Sequence, residues 1–241
     1  MINILHLYYD LLNLYGENGN TRCLVYNLER NKIKVKVDLK SLGDKIDFTK
    51  YDLIYISSGD EESIELALID ILKYKKELTK FIEDNKYLIL TGNAIDLFGS
   101  HIKTNKQDLD ALGIFDYYTE YIESSKFKNA STDRIVGEVE ATTELIDKKI
   151  IGFQNRCDLV FNVKTPLFKT KTKYSNDCNR EDEGFTYKNV YATHIIGPLF
   201  IRNPYLIDYL LNKICNNKKF NYKSLDELSI KAYKKYLENF D

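Results

Sequence analysis

The sequence has little of what marks a protein that binds nucleic acid or spans a membrane. Its formal net charge at pH 7 is only −1, which argues against a general affinity for nucleic acid or an anionic membrane surface. No apolar run reaches about 18 residues, so no membrane span is expected. The apolar start is too short and too uncharged for a signal peptide, and we therefore expect a cytoplasmic protein.

The cysteines are few and do not form a metal-binding pattern. No two of them form a CxxC pair, so we predict no zinc site, no other metal and no cofactor. Free thiols are the usual state in a cytosolic protein. The four residues are Cys23, Cys157, Cys178 and Cys215.

What the chain does have is the composition of an ordinary globular protein. It is 241 residues long, with 44% apolar and 29% charged residues, which is enough for a large core. No linker or internal repeat divides it, so we expect one domain over residues 1–241.

The first half alternates short apolar runs with amphipathic segments. Strands are predicted at 2–8, 34–39, 51–56 and 87–90, and helices at 20–31, 62–74 and 76–84. This order is typical of an α/β fold with a doubly wound, mostly parallel sheet and helices on both faces. The 34–39 strand alternates apolar and polar residues and is placed near an edge of the sheet.

The second half changes to shorter, β-like runs. They lie at 115–122, 134–141, 150–154, 159–163 and 190–196, and indicate antiparallel additions to the sheet. Residues 169–184 are polar and are predicted to be an exposed loop. A helix is expected after Asn203, with Asn203 as N-cap and Pro204 at its first position, and residues 224–241 are predicted to be an amphipathic helix.

The central run ends in a sharp turn at residues 91–99 (TGNAIDLFG). A strand followed by such a turn and a helix is where several α/β enzymes mount a nucleophile beside backbone N–H groups. We expect Thr91 to be the exposed residue of this elbow. Thr91 is then either a nucleophile, which would need a base, or a small polar residue in an elbow that has lost its chemistry.

Several motifs, in order along nearly the whole chain, resemble one family. They are LNLYGENGN at 12–20, SGDEE at 58–62, LGIFDYY at 112–118, IGFQN at 151–155, and GPL at 197–199 followed by Asn203 and Pro204. The set resembles class I glutamine amidotransferases of the cobyric acid synthase type (CobB/CobQ). The resemblance extends to the glutaminase subunits of lipid II isoglutaminyl synthase.

The resemblance implies an activity and a partner. Members of this type hydrolyse glutamine to glutamate and ammonia, with a cysteine nucleophile at the elbow and a histidine base just before the Gly-Pro-Leu turn. The ammonia passes to a Mur-ligase-like synthetase that amidates the peptidoglycan stem peptide. Glutamine is the implied ligand, and a Mur-ligase-like synthetase the implied partner.

Both catalytic positions depart from the family pattern in this chain. Thr91 matches the cysteine and Ile196 the histidine, while Asn93 stands where the family has a glycine. We therefore predict a subunit without glutaminase activity. His194 shares the strand face of Ile196 and is the alternative base, and Cys157, in a loop facing the pocket, is the alternative nucleophile.

The remaining pocket residues are predicted from the same resemblance and from the strand ends. Ser58 and Gly59 end one strand and offer backbone N–H groups to an oxyanion, and Gly92 and Asn93 follow the next strand. Arg134 matches the residue that holds the substrate carboxylate, or else it is a solvated surface arginine. Asn155 completes the set. A stand-alone protein that binds glutamine or another metabolite is a further alternative.

Overall fold

The computed structural model describes residues 1–122, 134–223 and 227–240. Its strands are β1 (Ile2–Leu7), β2 (Val35–Lys40), β3 (Leu53–Ile56), β4 (Tyr87–Thr91), β5 (His101–Lys103), β6 (Asp108–Asp110), β7 (Tyr118–Tyr121), β8 (Ile135–Thr142), β9 (Ile150–Arg156), β10 (Asp158–Phe161), β11 (Phe168–Thr170), β12 (Asp182–Glu183), β13 (Phe185–Tyr187) and β14 (Val190–Thr193). Its α-helices are α1 (Asn18–Arg30), α2 (Glu61–Ile71), α3 (Lys75–Glu83), α4 (Leu199–Arg202), α5 (Pro204–Asn217) and α6 (Glu227–Leu237).

A mostly parallel sheet organises the described part of the chain. Its six strands follow the order β13-β14-β4-β3-β1-β2. The neighbours from β14 to β2 pair in parallel, while β13 adds an antiparallel edge. The doubly wound α/β fold and the edge position of β2 are confirmed.

Helices cover both faces of this sheet because its strands alternate two buried sets of side chains. Ile54 and Ile56 belong to the core that includes residues of α2 and α3, whereas Leu53 and Tyr55 belong to the core that includes residues of α1 and α5. The same alternation in β4 places Leu88 and Leu90 in the first core and Tyr87 and Ile89 in the second. Residue 91 therefore faces the α1 side.

The segment after β4 differs from the prediction. Residues Gly92–Phe98 form successive 3₁₀ turns and not the α-helix that the apolar spacing indicated. Residues 94–98 are all buried, so this part of the segment has no solvent-facing side to favour an amphipathic α-helix. It runs beneath the cleft that is described below.

The second half of the chain adds two small sheets, in the orders β10-β7-β5-β6 and β12-β11-β8-β9. Most of their pairs are antiparallel, as predicted. The prediction of an exposed loop at 169–184 is wrong in part, because Ser175, Asn176 and Glu183 are buried. Asn176 bonds both the N–H and the C=O of Gly184, so a polar sequence here lies inside the protein.

Helix α5 begins with Pro204, as predicted, but Asn203 does not cap it with its side chain. The amide of Asn203 instead bonds the N–H and C=O of Ile151 and the C=O of Leu199. Within the predicted terminal helix, the structure describes α6, and residues 224–226 and 241 lie outside the described residues. No helix in the described ranges has the length and apolar character needed to cross a bilayer.

Candidate functional site

A small cleft lies where the carboxyl ends of β3 and β4 meet the turn after β9. This is the position at which ligands bind in open parallel sheets. It brings together most of the residues that the sequence singled out. Its lining comprises Ser58, Glu61, Gly92, Asn93, Tyr121, Arg134, Asn155, Arg156, Cys157, Asp158, His194 and Ile196.

Gly92 occupies the strained position of the elbow. Its φ is +61°, in the left-handed region that glycine adopts without a steric penalty. A Cβ placed on Gly92 would lie 2.5 Å from the Cβ of Ser58 and 3.3 Å from Cγ2 of Ile196. Any side chain at position 92 would therefore be directed at Ser58, with Ile196 beside it, and all three residues line the cleft.

Thr91 does not face the cleft, which corrects the sequence-based expectation. It follows Tyr87 and Ile89 on the α1 side of β4 and is fully buried. Its Oγ1 lies 2.8 Å from the hydroxyl of Tyr55. The residue directed into the cleft is its neighbour, Gly92, because successive side chains of a strand point to opposite faces.

Thr91 belongs instead to a buried polar network on the α1 side. The Tyr55 hydroxyl donates to Oε2 of Glu17 (3.1 Å), and Asn20 donates to both Tyr55 (2.8 Å) and Glu17 (3.1 Å). Oε1 of Glu17 accepts the N–H of Gly197 (2.9 Å). Burial raises the pKa of Glu17, although hydrogen bonds from Thr91, Gly197 and Tyr55 oppose the shift. The network joins the turns on either side of the cleft.

The side chain of Asn93 bonds the Gly59 N–H, which the sequence predicts to be an oxyanion donor. Its Oδ1 accepts the N–H of Gly59 (3.1 Å) and the hydroxyl of Ser58 (3.3 Å), and its Nδ2 donates to the C=O of Gly59 (2.8 Å). The structure thus brings Ser58, Gly59 and Asn93 together as predicted. It also commits the Gly59 N–H to Asn93.

Arg134 is paired within the protein and is not a free surface arginine. Its Nη1 donates to Oε1 of Glu61 (2.7 Å), and its Nε donates to Oδ1 of Asn155 (2.7 Å). Burial lowers the pKa of Arg134, but Glu61 outweighs that effect and the net shift is upward. Because these N–H groups already bond Glu61 and Asn155, they are not available for a bidentate contact with a substrate carboxylate.

Cys157 lies in the cleft but is held as a neutral thiol. Its Sγ donates to Oε1 of Glu61 (2.9 Å). Burial raises the pKa of the Cys157 thiol, and the carboxylates of Asp158 and Glu61 raise it further. Reactive cysteines need the opposite surroundings, because the thiolate is the nucleophile.

His194 lies just past the end of β14, between two buried carboxylates. Its Nε2 is 3.0 Å from Oδ2 of Asp158, and its Nδ1 is 3.3 Å from Oε1 of Glu183. Burial and the nearby charge of Arg156 lower the pKa of His194, but Asp158 and Glu183 outweigh them and the net shift is upward. No hydrogen bond in the described structure joins His194 to Thr91 or Cys157.

Asp96 lies close to Asp158 and His194. It is fully buried, and its Oδ1 accepts the hydroxyl of Thr119 (2.9 Å). Burial raises the pKa of Asp96 well above its usual value, and the charge of Asp158 adds to the shift. Ligand atoms of Asp96, Asp158 and His194 all lie within 4.8 Å of one another.

Comparison with known proteins shows the class of protein to which this fold and cleft belong. The model of the CobB/CobQ-like glutamine amidotransferase domain matches residues 3–204. The chain belongs to this family.

Its curated relatives define the resemblance more closely. The GatD subunit of a glutamine-hydrolysing lipid II isoglutaminyl synthase from Staphylococcus aureus is 30% identical, with 96% of this chain and 93% of that protein covered. The corresponding GatD of Streptococcus pneumoniae is 27% identical, with 98% and 87% covered. A solved glutamine amidotransferase of Thermotoga maritima shares the fold with a TM-score of 0.50 at 13% identity, covering 97% of this chain and 92% of that one.

Sequence reasoning missed Glu17, Glu61, Asp96, Asp158 and Glu183. Asp96 carried a signal, because it is a charged residue inside the apolar run of residues 94–98. A carboxylate in a buried run needs a partner or a function. The other four stand in polar stretches, where nothing in the local pattern distinguishes a buried carboxylate from a solvated one.

Proposed function

We propose that this chain is a GatD-like subunit of an amide-forming synthetase that no longer hydrolyses glutamine. It would act as one domain, docking on a Mur-ligase-like subunit that amidates the peptidoglycan stem peptide and takes ammonia from solution. The names of its GatD relatives support membership of such a synthase, and the cleft supports the loss of hydrolysis.

One observation carries the loss of hydrolysis: the residues that lie next to each other in the cleft at the elbow are Gly92 and Ile196. A Cβ on Gly92 would meet Ser58 first and would lie 3.3 Å from Cγ2 of Ile196, the residue just before the Gly-Pro-Leu turn. Where the family pattern implies a thiol and an imidazole, this chain has a hydrogen atom and an aliphatic group. Losing a nucleophile or a base of a catalytic pair lowers turnover by about 10⁶ in a well-studied protease.

The rest of the cleft supports the same proposal. The N–H of Gly59 is bonded to Asn93, and Arg134 is bonded to Glu61 and Asn155. A glutamine substrate would therefore need to displace internal partners from both its oxyanion donor and its carboxylate anchor. Such displacement leaves buried polar groups to be satisfied again, at about 1–3 kcal/mol each.

A rewired amidotransferase is the weaker alternative. Thr91 has no cleft exposure, Cys157 is a thiol of raised pKa bonded to Glu61, and His194 is bound between Asp158 and Glu183. None of the three offers the nucleophile–base contact that acyl transfer needs. A stand-alone protein that binds glutamine or another metabolite is disfavoured because Arg134, the predicted carboxylate anchor, is already bonded to Glu61 and Asn155.

The test is amidation by the assembled synthetase. The chain is co-expressed with the Mur-ligase-like synthetase of the same organism, purified through a tag on the synthetase, and supplied with lipid II, ATP and either glutamine or ammonium chloride. A matched complex with the S. aureus GatD protein serves as the comparison. We expect co-purification, and amidation with ammonium but not with glutamine.

Two results would overturn the proposal. Glutamine-driven amidation that persists when contaminating ammonium is removed would show that the subunit hydrolyses glutamine. Failure of the folded chain to co-purify with the synthetase, under conditions where the S. aureus pair does, would remove the docking role.

A further inference from the structure

Three side chains of metal-ligand type meet at the floor of the cleft, although they are far apart in the sequence. Asp96 comes from the 3₁₀ segment after β4, Asp158 from the start of β10 and His194 from the end of β14. Among the residues described, these three are the group whose carboxylate oxygens and imidazole nitrogen converge within 4.8 Å. A nitrogen and two oxygens are a donor set suited to divalent transition metals.

The convergence is accompanied by an unsatisfied buried oxygen of one of its members. Oδ2 of Asp96 is buried and has no hydrogen-bond partner in the described structure, while Oδ1 is used by Thr119. Buried carboxylate oxygens almost always have a partner, because an unpaired one is strongly destabilising. A bound cation would provide that partner.

The surroundings of His194 are those of a metal ligand. Oε1 of Glu183 lies 3.3 Å from Nδ1 of His194, and the same oxygen accepts the backbone N–H of His194 at 2.7 Å. Metal-binding histidines commonly donate one ring N–H to a carboxylate, which orients the ring and leaves the other nitrogen for the metal. Here that other nitrogen, Nε2, points to Asp158 and the cluster.

Charge points in the same direction. Asp96, Asp158 and Glu183 are three carboxylates within one buried group, and the buried cation beside them is Arg156, whose Nη1 lies 3.5 Å from Oδ2 of Asp158. The Arg156 guanidinium also donates to the backbone oxygens of Asp158 and Ser175. Metal binding requires ionised carboxylates and a neutral imidazole, and in that state one guanidinium and one divalent ion would balance the charge of the three carboxylates.

We propose that Asp96, Asp158 and His194 bind one divalent transition-metal ion of the zinc class, with Glu183 as the residue that orients His194. Because Asp158 and His194 also line the cleft, the remaining coordination position would face it and take water or a small anion. The ion would join β10, β14 and the elbow segment into one rigid floor. The proposed site uses neither Gly92 nor Ile196, so it does not depend on glutamine hydrolysis.

The test uses the full chain, stripped with a chelator and titrated with zinc by isothermal calorimetry, with zinc content after dialysis measured by mass spectrometry. The variants Asp96→Asn and His194→Gln each remove one ligand with little change in volume. His6→Gln is the matched control, since His6 is also buried but bonds Thr21 in a different part of the sheet. Circular dichroism confirms that each protein is folded.

We expect one zinc per chain for the wild type and for His6→Gln. The two ligand variants should bind at least about tenfold more weakly, as even outer-shell changes cost 10–100-fold in known sites. Cobalt substituted into the wild type should give d–d absorption bands without a thiolate charge-transfer band. The proposal fails if the folded wild type binds no stoichiometric zinc at micromolar concentrations, or if Asp96→Asn and His194→Gln bind as tightly as His6→Gln.

Discussion

Replacing Gly92 by alanine tests which residue of the elbow points into the cleft. The added Cβ meets two penalties. The left-handed backbone at φ +61° disfavours a side chain by about 1–2 kcal/mol. The contact at 2.5 Å from the Cβ of Ser58 adds overpacking of about 1–3 kcal/mol.

Gly43 separates these two effects. Its φ is +77°, but a Cβ placed there would have no atom within 4 Å, so Gly43→Ala should show the conformational penalty alone. Ser58→Gly in the Gly92→Ala background removes the side chain that the new Cβ contacts. The coupling between positions 58 and 92 should therefore be favourable, by about 1–3 kcal/mol.

The assay is urea denaturation of the wild type, the three single variants and the double variant. In thermal scans, each kcal/mol should shift Tm by about 2–4 °C for a chain of this size. If Gly92→Ala is no more destabilising than Gly43→Ala, or if Ser58→Gly gives it no relief, residue 92 does not point at Ser58. The assignment of the nucleophile position to Gly92 would then be wrong.

Three further outcomes follow from buried polar contacts. Asn203→Ala should destabilise the fold by about 2–4 kcal/mol in denaturant titrations, because the backbone groups of Ile151 lose their partners. The control is Asn212→Ala, which loses one bond to the Asp208 carbonyl on its own helix. Equal destabilisation by the two substitutions would contradict this prediction. Burial raises the folded-state pKa of Glu17 above the usual 4.5, so the free energy of unfolding of the wild type should fall as pH rises from 4.5 through the folded-state pKa. Glu17→Gln should flatten this part of the plot of unfolding free energy against pH. A plot of unchanged shape would refute the raised pKa. Burial raises the pKa of the Cys157 thiol, so this thiol should react with iodoacetamide at pH 8 at least about tenfold more slowly in the folded protein than in urea. The reaction is followed by peptide mass spectrometry. Fast labelling of the folded protein near neutral pH would show that Cys157 is a thiolate and contradict the prediction.

The central strands could be predicted because their residues are apolar on both faces. β1, β3 and β4 lie between two helical layers, so β3 and most of β4 are continuous apolar runs and β1 is apolar apart from Asn3 and His6. The edge strand β2 alternates instead, which also identified its position. The motifs that resemble the amidotransferase family gave the same fold independently.

The elbow was placed one residue too early, although the sequence held the information to place it. Tyr87, Ile89 and Thr91 share one face of β4, and that face turns toward α1. A strained elbow residue has positive φ, and residue 92 is the glycine that directly follows the strand. Strand alternation combined with the φ preference of glycine would have selected Gly92.

The buried carboxylates could not be predicted from local pattern. Glu183 lies in a polar stretch, and its burial depends on β11, β12 and the end of β14 packing around it. Asp158 meets His194 only because two distant strands end at the same cleft. Contacts of this kind are set by tertiary packing, which the periodicity of one segment does not report.

Ammonia release from glutamine by the purified chain is the most direct measurement of the central claim. The assay is run beside the S. aureus GatD protein, and with Thr91→Ala, Cys157→Ser and His194→Gln as comparisons. We predict no release above the blank for this chain, because Gly92 and Ile196 provide neither a nucleophile nor a base. A robust rate that any of these three substitutions abolishes would contradict the account and identify the group that has taken over the chemistry.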